Sequence, residues 1–419
     1  MAPQTPAKAP APKDSQDKPK LFPLRKRTGT AAFHLSTKAV DLHDEDLIDM
    51  SEEEAVMFLA NVTWGSTKEM CCPHCCTFDE HYFYRRELRW KCKACDKKFS
   101  VTSGTVFADR KLPVRKILRI AFLWSNTTSG SPALQIRRNV RAGYQAIYTT
   151  LHKLREGLVR GFNTGALAGT VEMDGADTNG YRYREKRNRP QGGGGAPKPK
   201  LPAHLLKPPV DPETGEILFE GPPKPVKHGK AASQPLDRRL LLVMRQRGVA
   251  KGRGAVKTRV AVAITESKDT VTTFACHRIS AESVIVTDED PAYAGFGKLF
   301  AGYRSIAHSK AFSDRKGTHN NHAESYNQRM RRAENIYKSI SNKYLFDYAV
   351  ETAWREDARA MSTGDKFKNL LGFALSVGTS KFWRGYSKGT HRTVELLVEG
   401  FFPTKGRGRP KGWEPAAPR

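Results

Sequence analysis

Thr170-Val171-Glu172-Met173-Asp174-Gly175 alternates apolar and polar residues and delivers Asp174 to the end of a strand. A second short apolar run, Val284-Ile285-Val286-Thr287-Asp288, also closes on a carboxylate. Farther on, His319-Asn320-Asn321-His322-Ala323-Glu324 opens a helix whose apolar face is Ala323, Tyr326, Met330 and Ala333. Residues 240–244, 259–264 and 271–275 are strand-like as well. Two strand ends and one helix thus carry three acids, Asp174, Asp288 and Glu324, that can converge on a pair of divalent cations. Phosphoryl transfer at DNA uses that arrangement, with one cation sharpening the attacking oxygen and the other stabilising the leaving one. Hard oxygen ligands select Mg2+ or Mn2+ over zinc.

Each acid also has a plainer reading. Glu324, three residues after Asn321, fits a capping box. Asp288, beside Glu289, Asp290 and Pro291, fits a turn, and Asp290 is the next candidate ligand. Asp174 beside Gly175 fits a strand-ending turn, with Asp177 as its alternative. His308, His319 and His322 are candidates for supporting the acids from behind.

Cys72-Pro73-His74-Cys75, sixteen intervening residues, then Cys92-Lys93-Ala94-Cys95 is a paired knuckle pattern. Each Cys-x-x-Cys turn aims two thiolates at one point, so Cys72, Cys75, Cys92 and Cys95 complete a tetrahedral zinc site. Four thiolates fill the coordination sphere, which makes the zinc structural. Tyr82, Phe83, Tyr84, Trp90 and Phe99 suit the short strands of a zinc ribbon. Cys71, Cys76 and His74 leave the ligand choice open, and distant Cys276 reads as a core residue.

The formal net charge is +28 over 419 residues. Such a surplus implies a polyanionic partner, because every phosphate neutralised releases condensed counterions. DNA is the first candidate. An anionic membrane is the alternative, but no apolar run of about 18 residues could span one. The first 28 residues are rich in Ala, Pro and Lys, lack the apolar stretch of a signal peptide and read as a disordered basic arm. The cysteines are therefore expected in a reducing compartment, where clustered pairs point to metal.

Residues 114–124 have helical periodicity, and two further helical runs follow at 133–140 and 143–158. The short pair, carrying Arg137, Arg138, Arg141 and Lys153, resembles a DNA-binding helix-turn-helix, with a plain helical linker as the alternative. Arg245, Arg247, Lys251, Arg253, Lys257 and Arg259 read either as a solvated hairpin tip or as DNA contacts. Near the end, Lys405-Gly406-Arg407-Gly408-Arg409-Pro410-Lys411 resembles a minor-groove AT-hook through Arg407 and Arg409, against the alternative of a generic basic tail.

Taken in order, these residues make the chain resemble the ISXO-type transposases of bacterial insertion sequences. The matching motifs are Cys72-Pro73-His74-Cys75, Trp90-x-Cys92-x-x-Cys95 and the run Phe99-Ser100-Val101-Thr102-Ser103-Gly104-Thr105-Val106-Phe107. Then come Val171-Glu172-x-Asp174, Thr287-Asp288-x-x-x-x-Tyr293, His308-Ser309-Lys310 and His319-x-Asn321-x-x-Glu324-Ser325-Tyr326. The likeness covers roughly residues 67–359. It implies a catalytic triad of Asp174, Asp288 and Glu324 with 35 residues between the last two, and a DNA-facing base at Arg331. It further implies cleavage at element ends and strand transfer into target DNA, by a homo-oligomer on DNA in a bacterial cytoplasm, associated with the nucleoid. A non-enzymatic zinc-ribbon DNA-binding protein descended from such an enzyme is the alternative. Departures from the family pattern are Gly175 where relatives often carry a second acid, a long insertion, and Tyr326-Asn327 in place of an aromatic pair with Trp. The run between Ala275 and Val284 also looks short for the helix that usually precedes the second catalytic strand.

The expected fold class is α/β: a ribonuclease-H-like DDE catalytic core preceded by a small zinc ribbon and a helical, helix-turn-helix-like segment. The expected layout begins with the basic arm at 1–28, an acidic helical segment at 41–66, the ribbon at 67–105 and the DNA-binding segment at 112–165. The catalytic domain follows at 169–360 with a flexible Pro/Gly/Lys-rich insertion at 187–234, then a C-terminal extension at 361–402 and the basic tail at 403–419.

Overall fold

The computed structural model describes residues 33–178, 238–249, 254–306, 319–338 and 340–398. The expectations for 1–28, 187–234, His308, Arg407 and Arg409 therefore lie outside the described residues.

Helices α1 (Asp44–Asp49) and α2 (Glu52–Trp64) come first. Ser51 caps α2 reciprocally: its hydroxyl accepts from the Glu54 amide, and the Glu54 carboxylate accepts from the Ser51 amide. The ribbon follows as β1 (Met70–Cys71), β2 (Phe78–Asp79), β3 (Tyr82–Tyr84), β4 (Arg89–Lys91) and β5 (Lys98–Phe99). These strands are too short to own a core. Trp90 of β4 instead lies edge-on to Trp64 of α2 at 5.5 Å and stacks on Phe99, which seats the ribbon on that helix.

Helices α3 (Val114–Ser125), α4 (Ala133–Asn139) and α5 (Tyr144–Gly157) form where the apolar periodicity places them. A π-helical turn, Leu158–Phe162, leads into the sheet. Its strands are β6 (Thr170–Thr178), β7 (Arg239–Arg247), β8 (Ala255–Ala263), β9 (Val284–Asp288) and β10 (Gly302–Ile306), and their spatial order is β10-β9-β6-β7-β8. The three strands from β6 to β8 form an antiparallel meander, whereas β9 and β10 run parallel to β6. A parallel neighbour requires a crossover, and α6 (Lys268–Arg278) supplies it between β8 and β9.

That helix corrects the strand expected at 271–275 and the apparent lack of a helix before the second acidic strand. The β-branched Thr270-Val271-Thr272-Thr273 run imitates a strand. Ser267 nevertheless caps a helix by accepting from the Thr270 amide, and Val271, Phe274 and Ala275 then share one buried face.

Strand β7 is apolar without alternation because both of its faces are covered. Leu240, Leu242 and Met244 pack with α6, while Leu241 and Val243 join a larger core with helices from both ends of the chain. The latter include α7 (Asn321–Tyr337), α8 (Asn342–Asp357) and α9 (Thr363–Ser376). Helix α9, inside the stretch expected as an extension, packs its Phe367, Leu370, Leu371 and Ala374 into that core. It meets α5 so closely that a β-carbon on Gly157 would lie 2.6 Å from the Ala374 Cα.

An ion cluster locks α3, α5 and α8 together. Glu351 accepts from Arg155 at 2.8 Å, from Arg355 at 3.0 Å and from the Tyr337 hydroxyl at 2.7 Å. Arg355 also donates to the carbonyls of Trp124, Ser125 and Thr127, satisfying the end of α3. Among the described residues no helix is long and apolar enough to cross a membrane.

Candidate active site and zinc centre

The ribbon brings the Sγ atoms of Cys72, Cys75, Cys92 and Cys95 within 4.8 Å of one another. The Cys72–Cys95 and Cys75–Cys92 separations are 3.7 and 3.6 Å. A tetrahedron with Zn–S bonds of about 2.3 Å needs sulfurs about 3.8 Å apart, so the set fits zinc. Backbone geometry bears on the choice that spacing left open. Cys76 and Asp96 each follow a knuckle in a left-handed conformation, at φ +60° and +59°, and each donates its amide back to the first cysteine's carbonyl. Cys76 is thus the turn residue of its knuckle, as Asp96 is of the other. Burial pushes the Cys72 thiol up to about 12, while hydrogen bonding with Thr77 pulls Cys75 down to about 6. A cation is what would ionise all four together.

The acid site sits where β6 passes the end of β9; Asp174 does not end its strand as expected but lies in mid-strand, because pairing with β7 carries β6 on to Thr178. The parallel β6–β9 ladder pairs Thr170 with Val284, Val171 with Ile285 and Glu172 with Val286. Two residues farther along, in the same register, are Asp174 and Asp288. Glu324 comes from the first turns of α7, and one turn later Asn327 donates its amide to Asp174 Oδ2 at 2.7 Å. The Asn327 Oδ1 is buried and accepts no hydrogen bond among the described residues. Burial, and then the charges of Asp288, Glu324 and Glu266, push the Asp174 carboxyl up to about 7. An acid raised by its acidic neighbours, beside an orphaned amide oxygen, is a hard-oxygen donor set that fits divalent cations. Among the described residues, only the four cysteines and a Glu172–His319–His322 group hold three or more ligating atoms within 4.8 Å of each other; the acid trio is more open.

The histidine group has another use. Glu172, fully buried on β6, takes the Arg247 Nε on Oε1 at 2.6 Å, with His319 Nδ1 3.3 Å from the same atom. Its Oε2 accepts the His322 and Ala323 amides at 2.8 and 3.3 Å, the opening N–H groups of α7. A carboxylate there complements the helix dipole and pins α7 to the strand that bears Asp174. Asn320 adds a bond from Nδ2 to the Met173 carbonyl at 3.3 Å. Burial lowers His322, favouring its neutral form. With a guanidinium on one oxygen and backbone amides on the other, Glu172 is an anchor for α7 and not a cation ligand.

The plainer reading of Glu324 falls away, while Asp288 does serve its turn, its Oδ1 accepting the Asp290 amide at 3.3 Å. The residue capping α7 is Asn320, whose side chain makes no capping bond, so Glu324 belongs to no capping box. Asp290 caps the short turn Pro291–Tyr293 by accepting from Ala292, and Asp177 lies exposed, 3.8 Å from Arg238. The cations of the β7–β8 hairpin divide. Arg245 donates to the His322 carbonyl and Glu356, Arg247 holds Glu172, and Arg259 is buried, so these three are structural rather than solvated or facing DNA. Arg137 and Arg138 are exposed on α4, and Arg331 is exposed on α7. The first turn of α5 is accessible, whereas every residue of its last turn, from Leu154 to Gly157, is buried.

Sequence reasoning missed Glu266, Asn327 and the anchoring role of Glu172. Only Glu172 carried a signal, its place beside Asp174 in the Val171-Glu172-x-Asp174 motif.

Comparison with known proteins agrees with this architecture. The family model of the ISXO2-like transposase domain matches residues 216–357, which include Asp288 and Glu324, and Asp174 lies ahead of that span. The family model of the transposase zinc-ribbon domain matches residues 50–98, taking in α2 as well as the four cysteines. No curated protein and no solved structure matches the chain. The two family models thus match this chain to the zinc-ribbon and ISXO2-like domains of IS1595-type transposases.

Proposed function

We propose that this protein cuts DNA at the ends of its element and joins the freed 3′ ends to target DNA, with Asp174, Asp288 and Glu324 as the catalytic acids. The observation that carries this reading is the approach of α7 to β6 at Asp174: Asn327, one turn after Glu324, bonds Asp174 at 2.7 Å, and burial first, then the charges of Asp288 and Glu324, push that carboxyl up to about 7. Divalent cations between them, Mg2+ or Mn2+, would supply charge stabilisation and make a hydroxyl nucleophile accessible near neutral pH.

The chain's own residues prepare that chemistry. Asn327 fixes Oδ2 of Asp174, so the carboxylate loses little rotamer freedom on binding a cation. Glu172 and Asn320 hold the start of α7 against β6, which sets where Glu324 stands relative to Asp174. In the first step a water oxygen bonds to phosphorus and the 3′ oxygen leaves with a proton. In the second, that 3′-hydroxyl attacks a target phosphodiester and displaces its 3′ oxygen, so the count of phosphodiester bonds is conserved and no covalent enzyme intermediate forms. The partner is DNA, in keeping with the +28 charge and with the exposed Arg137, Arg138 and Arg331. The protein works as a homo-oligomer on DNA in a bacterial cytoplasm, at the nucleoid.

Strand transfer on a terminal-repeat substrate tests the reading. Asp174→Ala should abolish joining while DNA binding persists; normal joining would remove Asp174 from the chemistry, and hydrolysed ends without joined product from the unaltered protein would make it a nuclease.

A further inference from the structure

Resting on that reading, we infer that Glu266 is a fourth carboxylate of the acid site and binds the same divalent cations as Asp174, Asp288 and Glu324. It stands in the turn between β8 and α6, just before the Ser267 cap, in a stretch with no motif of its own. Three observations bring it to the site.

The first is the space it occupies. A β-carbon on Gly175 would lie 2.3 Å from Glu266 Oε1 and 2.8 Å from Oε2, so the carboxylate rests against the backbone next to Asp174, in room that only glycine leaves. Successive residues of a strand face opposite sides. Glu266 therefore reaches β6 from the α6 side, while Asp174 faces the α7 side.

The second is how it is held. The Tyr293 hydroxyl donates to Oε1 at 2.5 Å. Tyr293 is fully buried and sits in the Pro291–Tyr293 turn that follows Asp288, so the segment bearing the second acid also tethers this one. Burial and the neighbouring acids keep its phenol protonated, hence always the donor. Among the described residues nothing donates to Oε2.

The third is the company it keeps. Asp174, Asp177, Asp288 and Asp290 all stand near enough for their charges to act on Glu266. No Lys, Arg or His among the described residues forms an ion pair with it. A carboxylate that exists only to accept a tyrosine proton has no reason to be set among four other acids, where each like charge costs free energy. A shared cation offsets that repulsion and uses the oxygen that Tyr293 leaves open.

Mn2+ titration of the full-length, zinc-loaded protein by calorimetry tests this without turnover. Glu266→Gln keeps an acceptor for Tyr293 and should weaken Mn2+ binding about tenfold or more. Gly175→Ala should do the same with Glu266 intact, because the clashing atoms are the far end of a flexible side chain that swings away while the strand persists. The double variant should be no weaker than Glu266→Gln alone, since both act through one carboxylate. Unchanged Mn2+ affinity in Glu266→Gln would overturn the inference and leave Glu266 as a hydrogen-bond acceptor. Asp174→Asn, run alongside, separates the two claims. If it loses Mn2+ while Glu266→Gln does not, the three-acid site stands and only the fourth ligand falls; if neither variant loses it, the acid site itself is wrong.

Discussion

Asp174→Asn should make the protein more stable in the absence of divalent cations, and the gain should depend on pH. In the folded chain this carboxyl titrates near 7 instead of 3.8, because it is partly buried among other acids. The folded state thus holds its proton more tightly than the unfolded chain does. Stability from this group is complete below about pH 4 and is lost as pH rises toward 7. The full difference amounts to about 4 kcal/mol at pH 8, and partial solvent access brings it to about 2–4 kcal/mol. Asparagine removes the charge yet still accepts the Asn327 amide through its own carbonyl. Urea unfolding at pH 8 without Mg2+ should therefore favour the variant by that amount, and thermal unfolding by about 4 °C. At pH 5 the gain should shrink by about half or more, and near pH 4 the two proteins should unfold together. Added Mn2+ should stabilise the original protein and not the variant, closing the gap from the other side. A variant less stable than its parent at pH 8 in cation-free buffer would refute the account, since Asp174 would then be contributing to the fold as a charge and not straining it.

Elemental analysis should find about one zinc per chain, and Cys92→Ser should release it and loosen the seat of Trp90 on Trp64, read as a change in tryptophan fluorescence. Arg355→Met should cost about 3–5 kcal/mol in urea unfolding, because it leaves Glu351 short of a partner and strips three carbonyls at the end of α3. Glu172→Ala should cost at least about 2 kcal/mol and reduce strand transfer far more than DNA binding, since it frees the start of α7 and with it Glu324.

How much of this was legible in advance depended on whether a residue's role is local. Runs ending in Asp174 and Asp288 announce themselves, because a strand's alternation or its doubly covered face is written in consecutive residues. The same holds for α3, α4 and α5 and for the apolar face of α7. Knuckle spacing announced four thiolates, but telling Cys75 from Cys76 required the left-handed turn that only backbone angles display. Helix α6 was misread because threonine and valine favour strands intrinsically, and its helical state is imposed by a cap and by packing under β7. The anchoring role of Glu172, and the places of Glu266 and Asn327, were opaque for a different reason. Their partners lie 150, 27 and 153 positions away, and no window along the chain contains both members of such a pair. Arg245 and Arg247 likewise looked like surface cations until their carboxylates arrived from other elements.

The β6–β7 ladder runs unbroken to Thr178 opposite Arg239, where the threonine hydroxyl also bonds the arginine carbonyl at 2.9 Å. Sixty residues leave and re-enter the sheet across that single rung. The rung acts as a socket: whatever evolution threads through it, lengthens or trims, the catalytic strand beneath is held by the same clasp.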